Sequence, residues 1–394
     1  MRHKVVVAGV GMIPFAKPGA SESYDLMGSA AARAALADAG VDYRWIEQAY
    51  VGYVYGDSTC GQAAIYGVGL TGVPVINVNN NCSTGSTALY LARQAVMSGA
   101  AQCVLALGFE QMERGALGAK YTDRPDPLSR FGQTMKAVQG IDAQAPIAAQ
   151  YFGGAGREHM RRFGTQAETF GRISVKARKH AANNPLALFR DEVTLEQVMA
   201  SPAIFDPLTR LQCCPPTCGA AAAVICSGEF AAQHGLNDDV EILAQAMTTD
   251  AASSFDAGDM RKLVGFDMSA QAAQKVYAQA GIGPEDVDVV ELHDCFTVNE
   301  LITYEALGLV EEGGGERFVL DGDNTYGGRI VTNPSGGLLS KGHPLGATGL
   351  AQCAELVWQL RGAAQRRQVE GARIALQHNL GLGGACVVTM YGRG

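Results

Sequence analysis

Short apolar runs alternate along the chain with longer stretches of helical period. Residues 5–8, 48–55 and 102–109 carry strand signals, and between them residues 25–39 and 83–98 place apolar side chains at helical spacing. That alternation predicts parallel α/β layering. In the second helical stretch Ala88, Leu91, Ala92, Ala95 and Val96 recur on one period, and Gly99 supplies a stop. Few of its side chains are charged, so a buried helix is expected. Strand signals return at residues 219–226 and 240–247, and residues 251–258 read as a linker.

The pattern then repeats. Residues 31–40 reappear as residues 272–281, at an offset of 241 (281 − 40), each followed by an acidic turn and a strand. Thr84-Gly85 before one helix matches Thr348-Gly349 before another, and the strand at 104–108 matches the one at 374–378. Three matches in one order predict a duplicated α/β fold with a site where the loops of both halves converge. The expected division is an N-terminal half over 1–114, completed by 212–250, a loop domain over 115–211, and a C-terminal half over 251–394. Within the insertion, residues 157–180 hold Arg157, Arg161, Arg162, Arg172, Lys176, Arg178 and Lys179 against Glu158 and Glu168. Such a run is a solvated helix face or a docking surface for a phosphorylated ligand.

Composition narrows the classes. A net charge of −8 argues against a general nucleic-acid binder, and no apolar run reaches the ~20 residues that cross a membrane. The apolar N-terminal run lacks a cleavage site and reads as a first strand. Ten cysteines in 394 residues fit a reducing compartment. Cys213, Cys214 and Cys218 cluster without a second ligand pair, so no metal site is expected.

The candidate chemistry sits at element junctions. In Asn79-Asn80-Asn81-Cys82-Ser83-Thr84-Gly85 a polar turn delivers a cysteine to the start of the buried helix. Free N–H groups and the helix macrodipole there favour the thiolate, although a buried cysteine also serves as a small apolar filler. His293-Asp294-Cys295-Phe296 closes a strand with two proton carriers separated by one residue. His343 is bracketed by Gly342 and Pro344 ahead of a helix. His378-Asn379-Leu380-Gly381-Leu382-Gly383-Gly384 offers a glycine-rich turn whose N–H groups could approach an oxyanion. His3, His159, His180 and His234 receive no role. A nucleophilic cysteine with histidines and a second thiol suggests covalent acyl transfer. A cysteine protease has no use for the second thiol, and a thioredoxin-like protein would need Cys-x-x-Cys.

Together with Gly52-Tyr53-Val54-Tyr55-Gly56-Asp57-Ser58-Thr59-Cys60-Gly61-Gln62, Gly342-His343-Pro344-Leu345-Gly346-Ala347-Thr348-Gly349 and Gln377-His378-Asn379-Leu380-Gly381, these motifs resemble the thiolases over essentially the whole chain. His-Asp-Cys-Phe marks the sterol-carrier-protein type, where most thiolases have Asn-Glu-Ala-Phe. The resemblance implies a five-layered α-β-α-β-α fold, an inserted loop domain that helps bind coenzyme A, and a homodimer or tetramer. It implies Cys82 as the acylated nucleophile, His343 as its base and Cys295 as the acid/base at the substrate α carbon. His293 is then a thioester-oxygen ligand and His378 a supporting polar group. The Cys82 amide, with one from Leu380 or Gly381, would form an oxyanion hole. The implied reaction is thiolysis of 3-oxoacyl-CoA to acyl-CoA and acetyl-CoA, or propanoyl-CoA from a 2-methyl substrate, with CoA as co-substrate and no permanent cofactor. Arg161, Arg162, Arg172, Lys176, Arg178 and Lys179 are the expected CoA contacts. The rivals are a condensing enzyme, an aldolase-type relative acting on sterol side-chain CoA esters, and a lipid-binding relative. Relatives usually carry Asp-Gly where Cys218-Gly219 stands here. The Ala-rich helices and the absence of a Ser-Lys-Leu tail lead to a bacterial cytoplasmic expectation, with the peroxisomal matrix as alternative.

Overall fold

The computed structural model describes residues 4–113 and 121–394; His3 and the first residues of the insertion lie outside them. The first half runs β1 (Val5–Met12), α1 (Tyr24–Ala39), β2 (Gln48–Gly52), β3 (Val75–Val78), α2 (Thr84–Met97) and β4 (Cys103–Glu110). The insertion includes α3 (Ile147–Phe163) and α4 (Ala167–Ala181), and β5 (Gly219–Ser227) follows. The second half runs β6 (Val240–Thr248), α5 (Phe266–Ala280), β7 (Val289–Glu291), α6 (Thr297–Ala306), β8 (Val331–Thr332), α7 (Thr348–Arg361), β9 (Ile374–Gly381) and β10 (Ala385–Arg393).

Strand order is β3-β2-β4-β5-β1 in one unit and β8-β7-β9-β10-β6 in the other, and a single Val6–Glu241 pairing joins β1 to β6. The orders superpose element for element, which is the structural signature of the duplication. In both units the first three strands are parallel and the fourth runs antiparallel to both its neighbours, so the sheets are mixed. A three-residue hairpin between β9 and β10 forces the antiparallel turn. The expected boundary needs correction here. Residues 240–248 were placed with the first half, but β6 pairs with β10 from Cys386–Thr248 to Arg393–Val240. The first half is therefore completed by β5 alone.

Helix α1 covers one face of the first sheet and α5 one face of the second, while α2 and α7 lie between the sheets and touch both. Those are the five layers. On β1, Val5 and Val7 face the central layer with Leu89, Val96, Leu350 and Leu356, whereas Val6 and Ala8 face α1. Each such buried branched side chain contributes about 2 kcal/mol. The Thr-Gly pairs explain how the central helices meet. A Cβ on Gly349 would sit 2.2 Å from the Ser86 amide nitrogen, and one on Gly85 would sit 2.7 Å from the Gly346 oxygen. Only glycine lets these backbones approach so closely. Among the described residues no helix is long and apolar enough to cross a membrane, and all ten cysteines are free.

Candidate active site

The turn after β3 is held by its own side chains. Asn80 N–H donates to Thr84 Oγ1 (2.9 Å), Ser83 Oγ donates to the Asn80 carbonyl (2.9 Å), and Asn81 Nδ2 reaches Leu382 O (2.9 Å). Asn81 adopts a left-handed φ of 51°, a conformation Asn tolerates. The result presents Cys82 two residues before α2, with its thiol 3.7 Å from Asn81 Oδ1. The expected thiolate is not the resting form. Burial, reinforced by the Glu110 carboxylate, pushes the Cys82 thiol up to about 12, against a smaller lowering from its own amide. Desolvation outweighs the helix-terminus effect, so the proton has to be taken by a partner.

His343 fits that requirement. Its Nδ1–H donates to Thr348 Oγ1 (2.6 Å), whose hydroxyl proton goes to the Pro344 carbonyl (3.0 Å). Nε2 therefore carries the lone pair, and it is buried without a protein partner. Burial pushes His343 down to about 3, with Lys341 adding to the effect, so the ring is neutral at pH 7. The His343 amide donates to Thr217 Oγ1 (3.1 Å), and Gly342 sits at φ 115°, against Thr217, where a side chain has no room.

His293 has the complementary tautomer. The Asn379 Nδ2 group donates both to the Cys82 carbonyl (3.1 Å) and to His293 Nδ1 (3.0 Å), so the His293 proton lies on Nε2, a hydrogen-bond donor. Burial, then the His343 and His378 rings, hold His293 well below the ordinary imidazole range. The two rings of His293 and His343 meet edge to face at 5.0 Å. One ligating atom from each of Cys82, His293 and His343 lies within 4.8 Å of the others. His378 stands behind them. Its Nε2 bonds Ser269 Oγ (2.9 Å) and its Nδ1 accepts the His293 amide (3.4 Å), so both nitrogens are spent on holding the site. His378 is fully buried and braces the His293 loop. Gly381 lies against the Cys82 turn, where a Cβ would come within 2.4 Å of Asn80 O and 3.2 Å of Ser83 N.

Cys295 is buried, and burial raises its thiol well above the ordinary range, with Cys214, Cys82 and Asp294 adding to the effect. The segment around Cys214 threads between the catalytic loops: Cys214 N–H donates to Cys295 O (2.9 Å), and Pro216 bridges His343. Asp294 accepts the Leu338 amide at 2.7 Å and ties the loop of His293 and Cys295 to that of His343. Burial, then Glu300, pushes its carboxyl up to about 8. Glu110 accepts amides of Val54, Tyr55 and Gly346 (3.1, 2.9 and 3.0 Å) and is pushed by burial up to about 7. Sequence reasoning assigned nothing to Glu110, Thr217, Cys214, Thr348 or Asn379. Only Thr348 and Asn379 carried a signal, through their place inside quoted motifs.

The basic run divides. Lys176 is a correction: its ammonium is buried against Glu300, Thr332 Oγ1 (2.6 Å) and Tyr304 (3.2 Å), out of reach of any solvent-borne phosphate. Arg161 and Arg162 pair with Glu158 (2.6 and 2.5 Å), and Arg162 also with Asp259 (3.2 Å). Arg178 stacks on Phe189 (4.4 Å). Arg172 and Lys179 stay exposed, without an ion pair among the described residues. Cys218 immediately precedes β5 and is buried in the core, its thiol on Met112 O (3.4 Å).

Comparison with known proteins identifies the fold. Residues 5–229 match the family model of the thiolase N-terminal domain, and residues 249–391 that of the thiolase C-terminal domain-like region. Sterol carrier protein 2 of Homo sapiens is 58% identical over 396 residues, covering 100% of this chain and 72% of that protein. A solved Ltp2-ChsH2(DUF35) aldolase shares the fold with a TM-score of 0.82 and 26% identity, over 99% of this chain and 98% of that one. Human mitochondrial 3-ketoacyl-CoA thiolase in complex with CoA matches in fold, with a TM-score of 0.74 at 18% identity over 100% and 98% of the two chains.

Proposed function

Because the chain belongs to the thiolase family, acyltransferases that cleave 3-oxoacyl-CoA with CoA, we propose that its acyl group is carried on Cys82 and its protons on His343 and Cys295. The observation that carries this reading is a neutral His343 whose Nε2 is buried and unpartnered, with a ring nitrogen within 4.8 Å of the Cys82 sulfur. His343 Nε2 takes the thiol proton as sulfur attacks the 3-oxo carbon. The C2–C3 bond then breaks, leaving an acyl-Cys82 and an enolate of the shortened CoA thioester. His293 Nε2–H donates to that enolate oxygen, and the Cys295 thiol protonates C2, giving acetyl-CoA, or propanoyl-CoA from a 2-methyl substrate. The Cys295 thiolate next removes the proton of incoming CoA, whose sulfur attacks the acyl-Cys82. Acyl-CoA leaves, and His343 returns the proton to Cys82. During both tetrahedral stages the oxyanion on the transferred acyl carbon lies between the Cys82 amide and an amide of Leu380 or Gly381.

Coenzyme A is the co-substrate, and Arg172, Arg178 and Lys179 on α4 are the cations we assign to its phosphates. Arg161 and Arg162 are partly neutralised by Glu158 and contribute less. Ten free thiols suit a reducing compartment. The edge strand β3 pairs on one side only and leaves Ile76 exposed, which suits a homodimer built on that edge. The aldolase likeness offers a second reading, distinguished by cofactor demand. Purified protein incubated with 3-oxoacyl-CoA of several chain lengths should consume the 3-oxo thioester only when free CoA is present. Consumption without CoA, or none at any chain length with CoA, contradicts the assignment.

A further inference from the structure

The three groups that face one another across the two halves are also a metal-ligand set. Cys82, His293 and His343 offer one sulfur and two imidazole nitrogens, all within 4.8 Å of one another, and no carboxylate stands among them. We propose that this cluster binds a thiophilic divalent cation of the zinc class, which closes the active site to CoA thioesters until the metal is removed. Two nitrogens and a thiolate with an open fourth position match the donor sets zinc accepts. Zinc bonds of about 2.0–2.3 Å place donors roughly 3.3–3.8 Å apart, so the side chains need to close by about 1 Å. Cys82 and His343 stand on separate loops ahead of α2 and α7, where side-chain rotation supplies such a movement.

One further feature points to a ligand. The His343 Nε2 lone pair is free in a residue only 5% exposed. His293 ligates through Nε2 once its proton moves to Nδ1, at the cost of the hydrogen bond from Asn379 Nδ2 to that nitrogen. The metal replaces the thiol proton, which leaves to solvent, so sulfur charge is matched by the cation and no redox step is involved.

The inference rests on the donor geometry, and its primary readout is independent of thiolysis. Cobalt(II) added to the purified, CoA-free chain should give an intense thiolate-to-metal absorption band. Cys82→Ser should abolish the band, and His293→Ala and His343→Ala should each weaken cobalt binding by about tenfold or more. Cys214→Ser should leave it unchanged. Zinc should slow alkylation of Cys82 by iodoacetamide, with recovery on adding EDTA. No band in the wild-type chain, a band surviving in Cys82→Ser, or one lost in Cys214→Ser overturns the site. If the chain showed no thiolysis, the band would still decide this question.

Discussion

The two halves share one topology and divide one reaction. Helices α2 and α7 each span 14 residues and open on Thr-Gly, yet the turn before α2 delivers a thiol and the turn before α7 an imidazole. The loop after β7 carries His293 and Cys295, whereas the matching loop after β2 carries Tyr53 and Tyr55. At the end of β4 stands Glu110, and at the end of β9 stand His378, Asn379 and Gly381. The scaffold fixes where the loops meet; in the mechanism we propose, the loop residues decide which half attacks and which half moves protons. Neither half holds a complete site, and the close crossing at Gly85 and Gly349 brings them within reach.

Removing the contribution of the second half should cost most. His343→Asn deletes the base while keeping a polar side chain, and kcat/KM for thiolysis should fall by about 10²–10⁴. A loss below tenfold would mean that Cys82 ionises by another route. Asn379→Asp probes the link between halves, since a carboxylate would draw the His293 proton to Nδ1 and leave a lone pair at Nε2. Its kcat should fall by about 10²-fold while KM changes little. Nitrogen NMR of labelled histidine should report the reversed tautomer, and an unchanged tautomer would dismiss the positioning role.

A subtler test separates the resting charges. With the Cys82 thiol pushed up to about 12, its thiolate fraction increases throughout the accessible range. Iodoacetamide alkylation of Cys82 should therefore rise by up to about tenfold per pH unit from 7 to 9, tempered near pH 7 as Glu110 ionises. A plateau near neutrality would indicate a preformed thiolate–imidazolium pair. On the other side of the pair, His343 is lowered to about 3 and stays a neutral base as pH falls. No acid limb at the ordinary imidazole value near 6.5 is expected in kcat/KM.

Much of this was legible in the chain. Gly40 and Gly281 both end a helix in the left-handed conformation, and the Thr-Gly pairs begin the central helices where the repeat puts them. Cys82, His293, Cys295 and His343 converge, because glycine, proline and asparagine mark sharp turns at element ends. What the chain hid depends on partners distant in sequence. Lys176 looked like one cation of a surface run, and only the fold supplies Glu300, 124 residues away. The partner of β6 depends on β10, beyond any local signal. The resting state of Cys82 is set by burial and by Glu110, which a helix-terminus argument does not contain. Asn379 acts through hydrogen-bond direction, invisible until Cys82 O and His293 Nδ1 are both within its reach.

The division of labour is tested most directly by holding the first half intact and stopping the second. Cys295→Ala, mixed with an acyl-CoA at alkaline pH, where CoA departs as a thiolate and needs no proton from Cys295, and examined by intact mass and peptide mapping, should accumulate one acyl group on Cys82 while steady thiolysis is lost. An acyl group on any other residue, or full turnover without Cys295, would contradict the account.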